Sequence, residues 1–309
     1  MDRLTENKLI LVVRKTRLEE LIAKYNTINQ AKFYIEHLGG DFSDYVHEHE
    51  TYYQAIKTAE AELRQQGRVQ AIDRSFLPNF IFGPKDLVIA VGQDGLVANT
   101  LKYLNGHALI GVNPDPKRWD GILLPFTVNE LARIVPEVFS GRRKIQDVTM
   151  AKAELNNGQF LYGVNDIFIG QKSHVSARYT IKLKEFQEQQ SSSGIIVSTG
   201  LGSTGWLKSV YAGAHAIGNH KTMHHRLETS SPWDANYLNF TVREPFPSRT
   251  TSTTLVCGEI NIQSPLSLTS HMSENGVIFS DGMEADCLEF NSGMVATLGI
   301  ADKVGHLVL

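Results

Sequence analysis

Continuous apolar runs alternate with amphipathic segments in the first half of the chain. "KLILVV" has the pattern of a buried strand, and in "TRLEELIAKYN" Leu18, Leu21 and Ile22 recur on one helical face that Thr16 could cap. Two more helices are predicted from "INQAKFYIEHLGG" and "DFSDYVHEHETYYQAIKTAEAELRQQG", which both end at glycine. "LVIAV" and "HALIGVN" are predicted to be buried strands on either side of a further helix. This alternation predicts an α/β domain over residues 1–145.

The pattern changes after residue 145. Short strand-like stretches such as "FLYGVNDIFIG", "SARYTIKL" and "TTLVCGEINIQ" are separated by Gly, Asn, Ser and Pro. "GWLKSVYAGAHAIG" is the one helix predicted in this half, and "QEQQSSSG" is predicted to be a flexible connection. Residues 146–309 are therefore predicted to form a mostly β domain.

Composition narrows the class of ligand. The 309 residues carry 30 basic and 33 acidic side chains, a net charge of -3, which favours neither nucleic acid nor an anionic membrane as partner. Two cysteines, Cys257 and Cys287, form no C-x-x-C motif, and the apolar run near the N-terminus is too short for a signal peptide or a membrane span. We therefore expect a cytoplasmic protein with a small, soluble ligand.

Metal ligation receives little support from the sequence. The histidines and glutamates of "HEHE", His47 to Glu50, lack the ligand spacing of a closed metal site. They are predicted to lie on an exposed part of a helix, and no residue is assigned as a metal ligand.

"GIIVSTGLGSTGW" contains G-x-G-x-x-G from Gly200 to Gly205, the spacing of a dinucleotide-binding fingerprint. That fingerprint is followed about 20 residues later by an acid at the end of a second apolar strand. Here "NHKTMHHRLETSSPWD" follows and contains no such strand, which disfavours a dinucleotide-dependent dehydrogenase. The glycines could still bring backbone N–H groups to an anion, and the hydroxyl groups of Thr199, Ser203 and Thr204 could donate to it. A turn without a ligand fits this stretch equally well.

Gly92-Gln93-Asp94-Gly95 lies in the break between a predicted strand and a predicted helix. Open α/β sheets place their ligands at this end of a strand. The carboxylate of Asp94 could take a proton from a hydroxyl nucleophile or hold a metal ion that screens phosphate charge. An Asp-Gly turn without a ligand is the alternative.

Asn165 and Asp166 interrupt the apolar run "LYGVNDIFIG". Burying such polar side chains costs about 1–3 kcal/mol unless they find partners. An amide beside a carboxylate suits the hydroxyl groups of a ribose or the edge of a base. A β-bulge or a cross-strand hydrogen bond would also explain the pair.

Taken in order, these three segments resemble the motifs of the NAD kinase family: a G-G-D-G motif, an Asn-Glu pair, and a "TxxGSTAY"-like loop. "IGVNPDPKRWDGILLP", "VREPFPSR" and "DGMEADCLEFNSG" are similar to segments of the divergent, mitochondrial-type branch of that family and its bacterial relatives. The resemblance covers roughly residues 85–300. The first motif also occurs in diacylglycerol and sphingosine kinases.

The resemblance implies an α/β N-terminal domain plus a mostly-β, β-sandwich-like C-terminal domain, with the active site between them and the last residues packing back on the first domain. It implies an ATP-dependent NAD kinase that assembles as a homodimer or homotetramer. Asp94 would activate the adenosine-ribose 2′-hydroxyl of NAD, and Mg²⁺ would bridge the γ-phosphoryl group of ATP. The nucleotide-binding positions would be Gly92, Gly95, Asn165, Asp166, Thr199, Gly202, Ser203, Thr204, Lys208 and Ser209.

Several residues depart from the family pattern. Gln93 replaces the second glycine of the first motif and Leu96 replaces its threonine, which could crowd the phosphate site or deny it a positive φ. Asp166 shortens the usual glutamate by one methylene group. Two alternatives therefore stay open: a catalytically weak nucleotide-binding relative, and a lipid kinase that shares the Asp-Gly motif. Asp281-Gly282 is either the counterpart of a late Asp-Gly pair of the family or a hairpin turn.

Overall fold

The computed structural model describes residues 8–218 and 231–309. The chain divides into two compact units, one running up to Gln146 and including His306–Leu309, the other spanning Asp147–Gly305. The first unit is α/β and the second is mostly β, which confirms the predicted fold class. No helix within the described ranges is long and apolar enough to cross a membrane.

The first unit is built on a parallel sheet. Its strands are β1 Lys8–Val13, β2 Arg68–Asp73, β3 Leu87–Val91, β4 Ala108–Asn113 and the short β5 Phe126–Thr127, and its helices are α1 Arg17–Tyr25, α2 Ile28–His37, α3 Phe42–Arg64, α4 Asp94–Leu101 and α5 Leu131–Phe139. The strand order is β2-β1-β3-β4, and every one of these pairs is parallel. On the far side of β4, His306 and Leu307 pair in parallel with Ala108 and Leu109.

The predicted start of α1 is confirmed. The Thr16 hydroxyl accepts a hydrogen bond from the Glu19 N–H at 3.3 Å, and the Glu19 carboxylate accepts one from the Thr16 N–H at 2.8 Å. This reciprocal capping satisfies two N–H groups that a helix start otherwise leaves unpaired. All five residues of β3 are buried, as its continuous apolar pattern predicts.

The prediction that "HEHE" is exposed is wrong for Glu48, which is 4% exposed. Its carboxylate accepts hydrogen bonds from Arg14, at 2.9 Å, and from Arg17. Both arginines lie between the end of β1 and the first turn of α1, more than 30 residues away along the chain. A buried carboxylate is tolerated here because two cations pair with it, and the local sequence carries no sign of them.

The second unit consists of strands and one described α-helix, α6 Trp206–Gly218. The strands are β6 Ile145–Leu155, β7 Phe160–Gly163, β8 Asp166–Gln171, β9 Ala177–Leu183, β10 Phe186–Ser192, β11 Ile195–Ser198, β12 Tyr237–Val242, β13 Cys257–Asn261, β14 Leu266–Ser270, β15 Gly276–Ser280, β16 Leu288–Glu289 and β17 Val295–Val308. One sheet has the order β13-β12-β11-β8-β15-β16, and β10-β9-β14-β17 belong to the other, where β6 pairs with β17 and β7. A single hydrophobic core takes residues from both sheets, among them Ile181, Phe240 and Leu268.

The prediction that "QEQQSSSG" is a flexible connection is wrong. Its first part forms β10, which pairs antiparallel with β9 from Phe186 to Ser192. The side chains of Gln190 and Ser192 are buried and hydrogen-bonded to the hydroxyl group of Tyr179, at 3.0 and 2.7 Å. Gln190 and Ser192 therefore belong to a buried network with satisfied hydrogen bonds, whereas Gln187 and Gln189 lie on the exposed face of the same strand.

Candidate functional site

Asp94 lies at the carboxyl end of β3, as the sequence predicts, and is the first residue of α4. Both oxygens of its carboxylate accept backbone hydrogen bonds, Oδ1 from the Leu123 N–H at 2.8 Å and Oδ2 from the Ile122 N–H at 3.2 Å. These two bonds fix the direction of the carboxylate. Because each carboxylate oxygen can accept more than one hydrogen bond, Asp94 can still receive a proton or bind a further donor.

The loop that holds Asp94 is packed against β4. A Cβ atom at Gly111 would lie 1.9 Å from the Leu123 carbonyl oxygen, so glycine is required where the loop crosses the strand. The Asn113 side chain donates to the Trp119 carbonyl at 2.8 Å. The sequence does not reveal that Ile122 and Leu123 hold Asp94, because backbone donors have no residue-type signature. Gly111 and Asn113 are the indirect signals that could have located this loop.

The two departures in the first motif do not distort it. Gln93 has φ of -113° and ψ of 165°, an extended conformation open to any residue, so the expected need for a positive φ is wrong. Leu96 is 2% exposed, and a Cβ atom at Gly92 would lie 2.8 Å from its Cδ2 atom. Leu96 therefore packs into the protein instead of crowding the surface of the motif. Gly95 is exposed, and a Cβ atom there would meet nothing within 4 Å.

In the second unit, Asn165 lies between β7 and β8, and Asp166 is the first residue of β8. Together with Val164 they form what we call the 164–166 segment. The carboxylate of Asp281 accepts hydrogen bonds from all three backbone N–H groups of this segment, with shortest distances of 3.0, 2.6 and 3.3 Å to Val164, Asn165 and Asp166. The predicted turn at Asp281-Gly282 is present, with φ of 53° and 71°.

Thr199 and Ser203 hold the glycine-rich turn together. The Thr199 hydroxyl donates to the Val164 carbonyl at 2.6 Å and accepts from the Gly202 N–H at 3.1 Å. The Ser203 hydroxyl donates to the Gly200 carbonyl at 2.7 Å. Each hydroxyl has one hydrogen and both side chains are buried, so the expectation that they donate to an anion is wrong in this conformation.

Gly200 and Gly202 of this turn allow other main-chain segments of the protein to pack closely against it. A Cβ atom at Gly200 would lie 1.7 Å from the Pro232 carbonyl oxygen, and one at Gly202 would lie 2.1 Å from the Asn165 carbonyl oxygen. The turn and the 164–166 segment are therefore packed directly on each other. The structure thus brings Asn165, Asp166, Thr199 and Gly202 together in one cluster.

The remaining predicted positions lie around the start of α6. Thr204, Lys208 and Ser209 are exposed. The Ser209 hydroxyl donates to the Trp206 carbonyl at 2.7 Å, within the helix. The Thr204 hydroxyl and the Lys208 ammonium lie on the accessible side of the turn, where a bound anion could reach them.

Asp166 carries the most perturbed carboxyl group of this cluster. Its pKa is raised to about 7, mainly by burial and to a lesser extent by the negative charge of Asp281, while a hydrogen bond with Ser198 acts in the opposite direction. The residue as a whole is half-buried, but its Oδ1 atom is fully buried and has no hydrogen-bond partner in the described part of the chain. Near neutral pH this carboxyl group is therefore present in both protonated and ionised forms. A ligand hydroxyl could supply the missing partner.

Within residues 8–218 and 231–309, no group of three or more His, Cys, Asp and Glu side chains is arranged to hold a metal ion. Asp94 is the one carboxylate of the Gly92–Gly95 motif. A metal ion at this motif would therefore take most of its ligands from a bound molecule and from water.

Comparison with known proteins shows similarity to several kinases, although no protein-family model matches the chain. A probable NADH kinase of rice, Oryza sativa subsp. japonica, is 25% identical over 238 residues, which cover 67% of this chain and 68% of that protein. An NAD kinase from Archaeoglobus fulgidus, solved in complex with ATP, aligns with a TM-score of 0.59 and 12% identity over 98% of this chain and 93% of its own. Yeast NADH kinase, solved with NADH, aligns with a TM-score of 0.57 and 14% identity over 97% of this chain and 83% of its own.

The two solved structures show that the fold of this chain is that of the NAD and NADH kinases. The rice protein adds a similarity in sequence across two thirds of both chains. Together these findings show a similarity in fold, and over two thirds of the chain in sequence, to NAD and NADH kinases, in agreement with the resemblance to that family.

Proposed function

We propose that this protein is a kinase that transfers the γ-phosphoryl group of ATP to the adenosine-ribose 2′-hydroxyl of NAD or NADH, giving NADP or NADPH. The observation that carries the proposal is Asp94, a carboxylate at the carboxyl end of a parallel strand, held by two backbone N–H groups beside the open space at Gly95. The names of the rice and yeast relatives support NADH as an acceptor, and that of the archaeal relative supports NAD.

In the reaction, Asp94 accepts the proton of the 2′-hydroxyl group as its oxygen attacks the γ-phosphorus. A bond forms between that oxygen and phosphorus, and the bond from phosphorus to the oxygen bridging the β- and γ-phosphates breaks, so ADP leaves. The proton then passes from Asp94 to solvent. Phosphoryl transfer depends mainly on positioning and charge screening, which suits a carboxylate whose direction is fixed by two hydrogen bonds.

The nucleotide would be bound through side chains of the second unit. We assign Asn165 and Asp166 to the ribose hydroxyl groups, because the buried Oδ1 of Asp166 requires a donor. Thr204, Lys208 and Ser209 would line the adenosine side of the nucleotide. Thr199, Gly202 and Ser203 would act by shaping the turn, since their hydroxyl and main-chain contacts are made within the protein.

The phosphate donor would be a magnesium complex of ATP. The metal ion arrives with the triphosphate as part of the substrate and screens its charge. Gly92 and Gly95 would place backbone close to the phosphates, and the exposed face of Gly95 leaves space for them. We also propose that the protein assembles as a homodimer or homotetramer, to be tested by analytical ultracentrifugation.

The test is NADP or NADPH formation from NAD or NADH with magnesium and ATP, inorganic polyphosphate or another nucleoside triphosphate. Asp94→Asn is the matched variant, because it keeps the size of the side chain and removes the base. We expect kcat to fall by about 10²- to 10⁴-fold, the usual contribution of a general base, with nucleotide binding retained.

Two outcomes would replace the proposal. Binding of NAD or NADP by the wild-type protein without turnover on any donor would identify a nucleotide-binding relative that has lost the chemistry. Strong association with liposomes, together with phosphorylation of a lipid alcohol, would instead identify a lipid kinase. Equal turnover by wild type and Asp94→Asn would remove Asp94 from the catalytic role.

A further inference from the structure

Every main-chain polar group of the 164–166 segment is already bonded within the protein. Its three N–H groups donate to the Asp281 carboxylate. The Val164 and Asn165 carbonyl groups accept from Thr199, the first from its hydroxyl at 2.6 Å and the second from its N–H at 3.0 Å. The Asp166 carbonyl accepts from the Asp281 N–H at 3.0 Å. The segment therefore has no backbone donor left for a ligand and meets a nucleotide only through its side chains.

Asp281 makes most of these hydrogen bonds, because it accepts from all three N–H groups and donates to the Asp166 carbonyl. Three N–H groups directed at one carboxylate form charge-assisted hydrogen bonds, which are shorter and stronger than neutral ones. The 2.6 Å bond to the Asn165 N–H is the shortest of the set. Asp281 sits in the left-handed region at φ of 53°, which aspartate tolerates better than most residues.

We propose that Asp281 is a positioning residue for nucleotide recognition: by holding the main chain of the 164–166 segment, it sets the directions in which the Asn165 and Asp166 side chains point. The inference rests on the proposed function, in which these two side chains meet the nucleotide. Asp281 itself touches no substrate in this scheme. Its negative charge also stands close enough to act on the Asp166 carboxyl group.

The test compares Asp281→Asn with a matched charge control. Asp281→Asn preserves the size of the side chain and keeps one acceptor oxygen, but it removes the negative charge and turns the second acceptor into an NH₂ donor, so the charge-assisted bonds to the three N–H groups are weakened. Glu284→Gln also removes one negative charge three residues further along, from an exposed side chain. Titration calorimetry with NAD and with NADH gives Kd, and steady-state kinetics separates KM from kcat.

We expect Asp281→Asn to weaken nucleotide binding by at least about tenfold and to raise KM in parallel, with kcat changed by less than about threefold, because a misdirected binding group affects ground state and transition state alike. Glu284→Gln should leave Kd within about twofold of wild type.

A double-mutant cycle separates positioning from general loss of structure. If Asp281 acts through Asp166, the Kd of Asp281→Asn combined with Asp166→Asn must be weakened by less than the product of the two single effects. Independent, multiplicative effects would overturn the proposal, as would an Asp281→Asn protein that melts earlier but binds NAD and NADH as wild type does.

These outcomes are distinct from failure of the proposed function. A wild-type protein that binds NAD without turnover would refute the kinase while the Kd comparison still decides the role of Asp281. A wild-type protein that binds neither NAD nor NADH would refute both.

Discussion

The two glycine-rich segments of this protein use glycine for opposite reasons. In Gly92–Gly95 of the first unit, the Gly95 position is open, and Gln93, which replaces the second glycine of the family motif, has an extended conformation that any residue can adopt. In Gly200–Gly205 of the second unit, carbonyl oxygens of Pro232 and Asn165 occupy the places where side chains would begin. The first segment leaves space beside the protein at Gly95, and the second fills the corresponding space at Gly200 and Gly202 with the protein's own main chain.

This difference separates two kinds of motif that look alike in a sequence. An open glycine leaves room for a ligand to approach the backbone, whereas a packed glycine allows two parts of the chain to approach each other. A substitution at the open position should therefore affect ligand binding, and one at the packed position should affect stability. The predictions below test that separation, beginning with the largest effect.

Gly202→Ala should be strongly destabilising. Its Cβ atom would lie 2.1 Å from a backbone carbonyl oxygen, a contact that the main chain must move to relieve. We expect the free energy of unfolding to fall by about 3 kcal/mol or more, at the upper end of the range for overpacking. The measurement is denaturant unfolding followed by circular dichroism.

Gly213→Ala is the control for Gly202→Ala. Gly213 lies inside α6, and a Cβ atom there would meet nothing within 4 Å. Because alanine favours a helix over glycine by about 1 kcal/mol, this variant should be as stable as wild type or slightly more stable. Equal stability of the two variants would show that the turn is not packed as described.

Asp166→Asn should stabilise the ligand-free protein above neutral pH. The pKa of Asp166 is raised to about 7 in the folded state, mainly by burial, so the folded state holds this proton more tightly than the unfolded state does. Between about pH 4 and pH 7 the folded state then binds more protons, and stability falls as pH rises. Asparagine does not ionise, so the variant does not lose stability in this way. We expect it to be more stable than wild type by on the order of 2 kcal/mol at pH 8. This figure is smaller than the whole pKa shift would give, because Asp166 is partly exposed to solvent.

The pH profile of this difference is the decisive feature. Thermal or urea unfolding from pH 4 to pH 8 should show the two proteins converging near pH 4 and separating up to about pH 7, with a constant difference above that. A difference that is the same at every pH would mean that the amide alters packing and that Asp166 does not titrate in this range.

Periodicity and capping predicted the main elements, because those signals are local. The β3–α4 transition at Asp94, the Thr16 cap and helix α6 all follow from residues within a few positions of one another. The three motifs that we propose for catalysis and nucleotide binding are local in the same sense. Their order along the chain also indicated the family.

The features that were missed depend on partners far away in sequence. The polar strand β10 pairs with β9, where the Tyr179 hydroxyl meets the buried side chains of Gln190 and Ser192, and the buried Glu48 pairs with Arg14 and Arg17. The hydroxyl groups of Thr199 and Ser203 were expected to meet an anion, but carbonyl groups of the protein take their hydrogens. Residue types state what a side chain can bond, and only the fold decides which partner it meets.

Gln93→Gly should have the smallest effect. The change restores the glycine of the family motif at a position whose φ of -113° does not require it. The added freedom of the unfolded chain should lower the free energy of unfolding by about 0.5–1 kcal/mol at most. Steady-state kinetics should show kcat within about threefold of wild type, a difference in activation free energy below about 0.7 kcal/mol.

Gly95→Ala is the comparison variant for Gln93→Gly, because it fills the open position of the same motif. A Cβ atom at Gly95 meets no protein atom within 4 Å, so stability should be unchanged, while a ligand packed against that face would be displaced. We therefore expect a raised KM for the phosphate donor with unaltered unfolding, the reverse of the pattern expected for Gly202→Ala. The opposite result would be a kcat raised tenfold or more by Gln93→Gly together with an unchanged KM in Gly95→Ala. In that case the glutamine side chain, and not the space at Gly95, controls access to this motif.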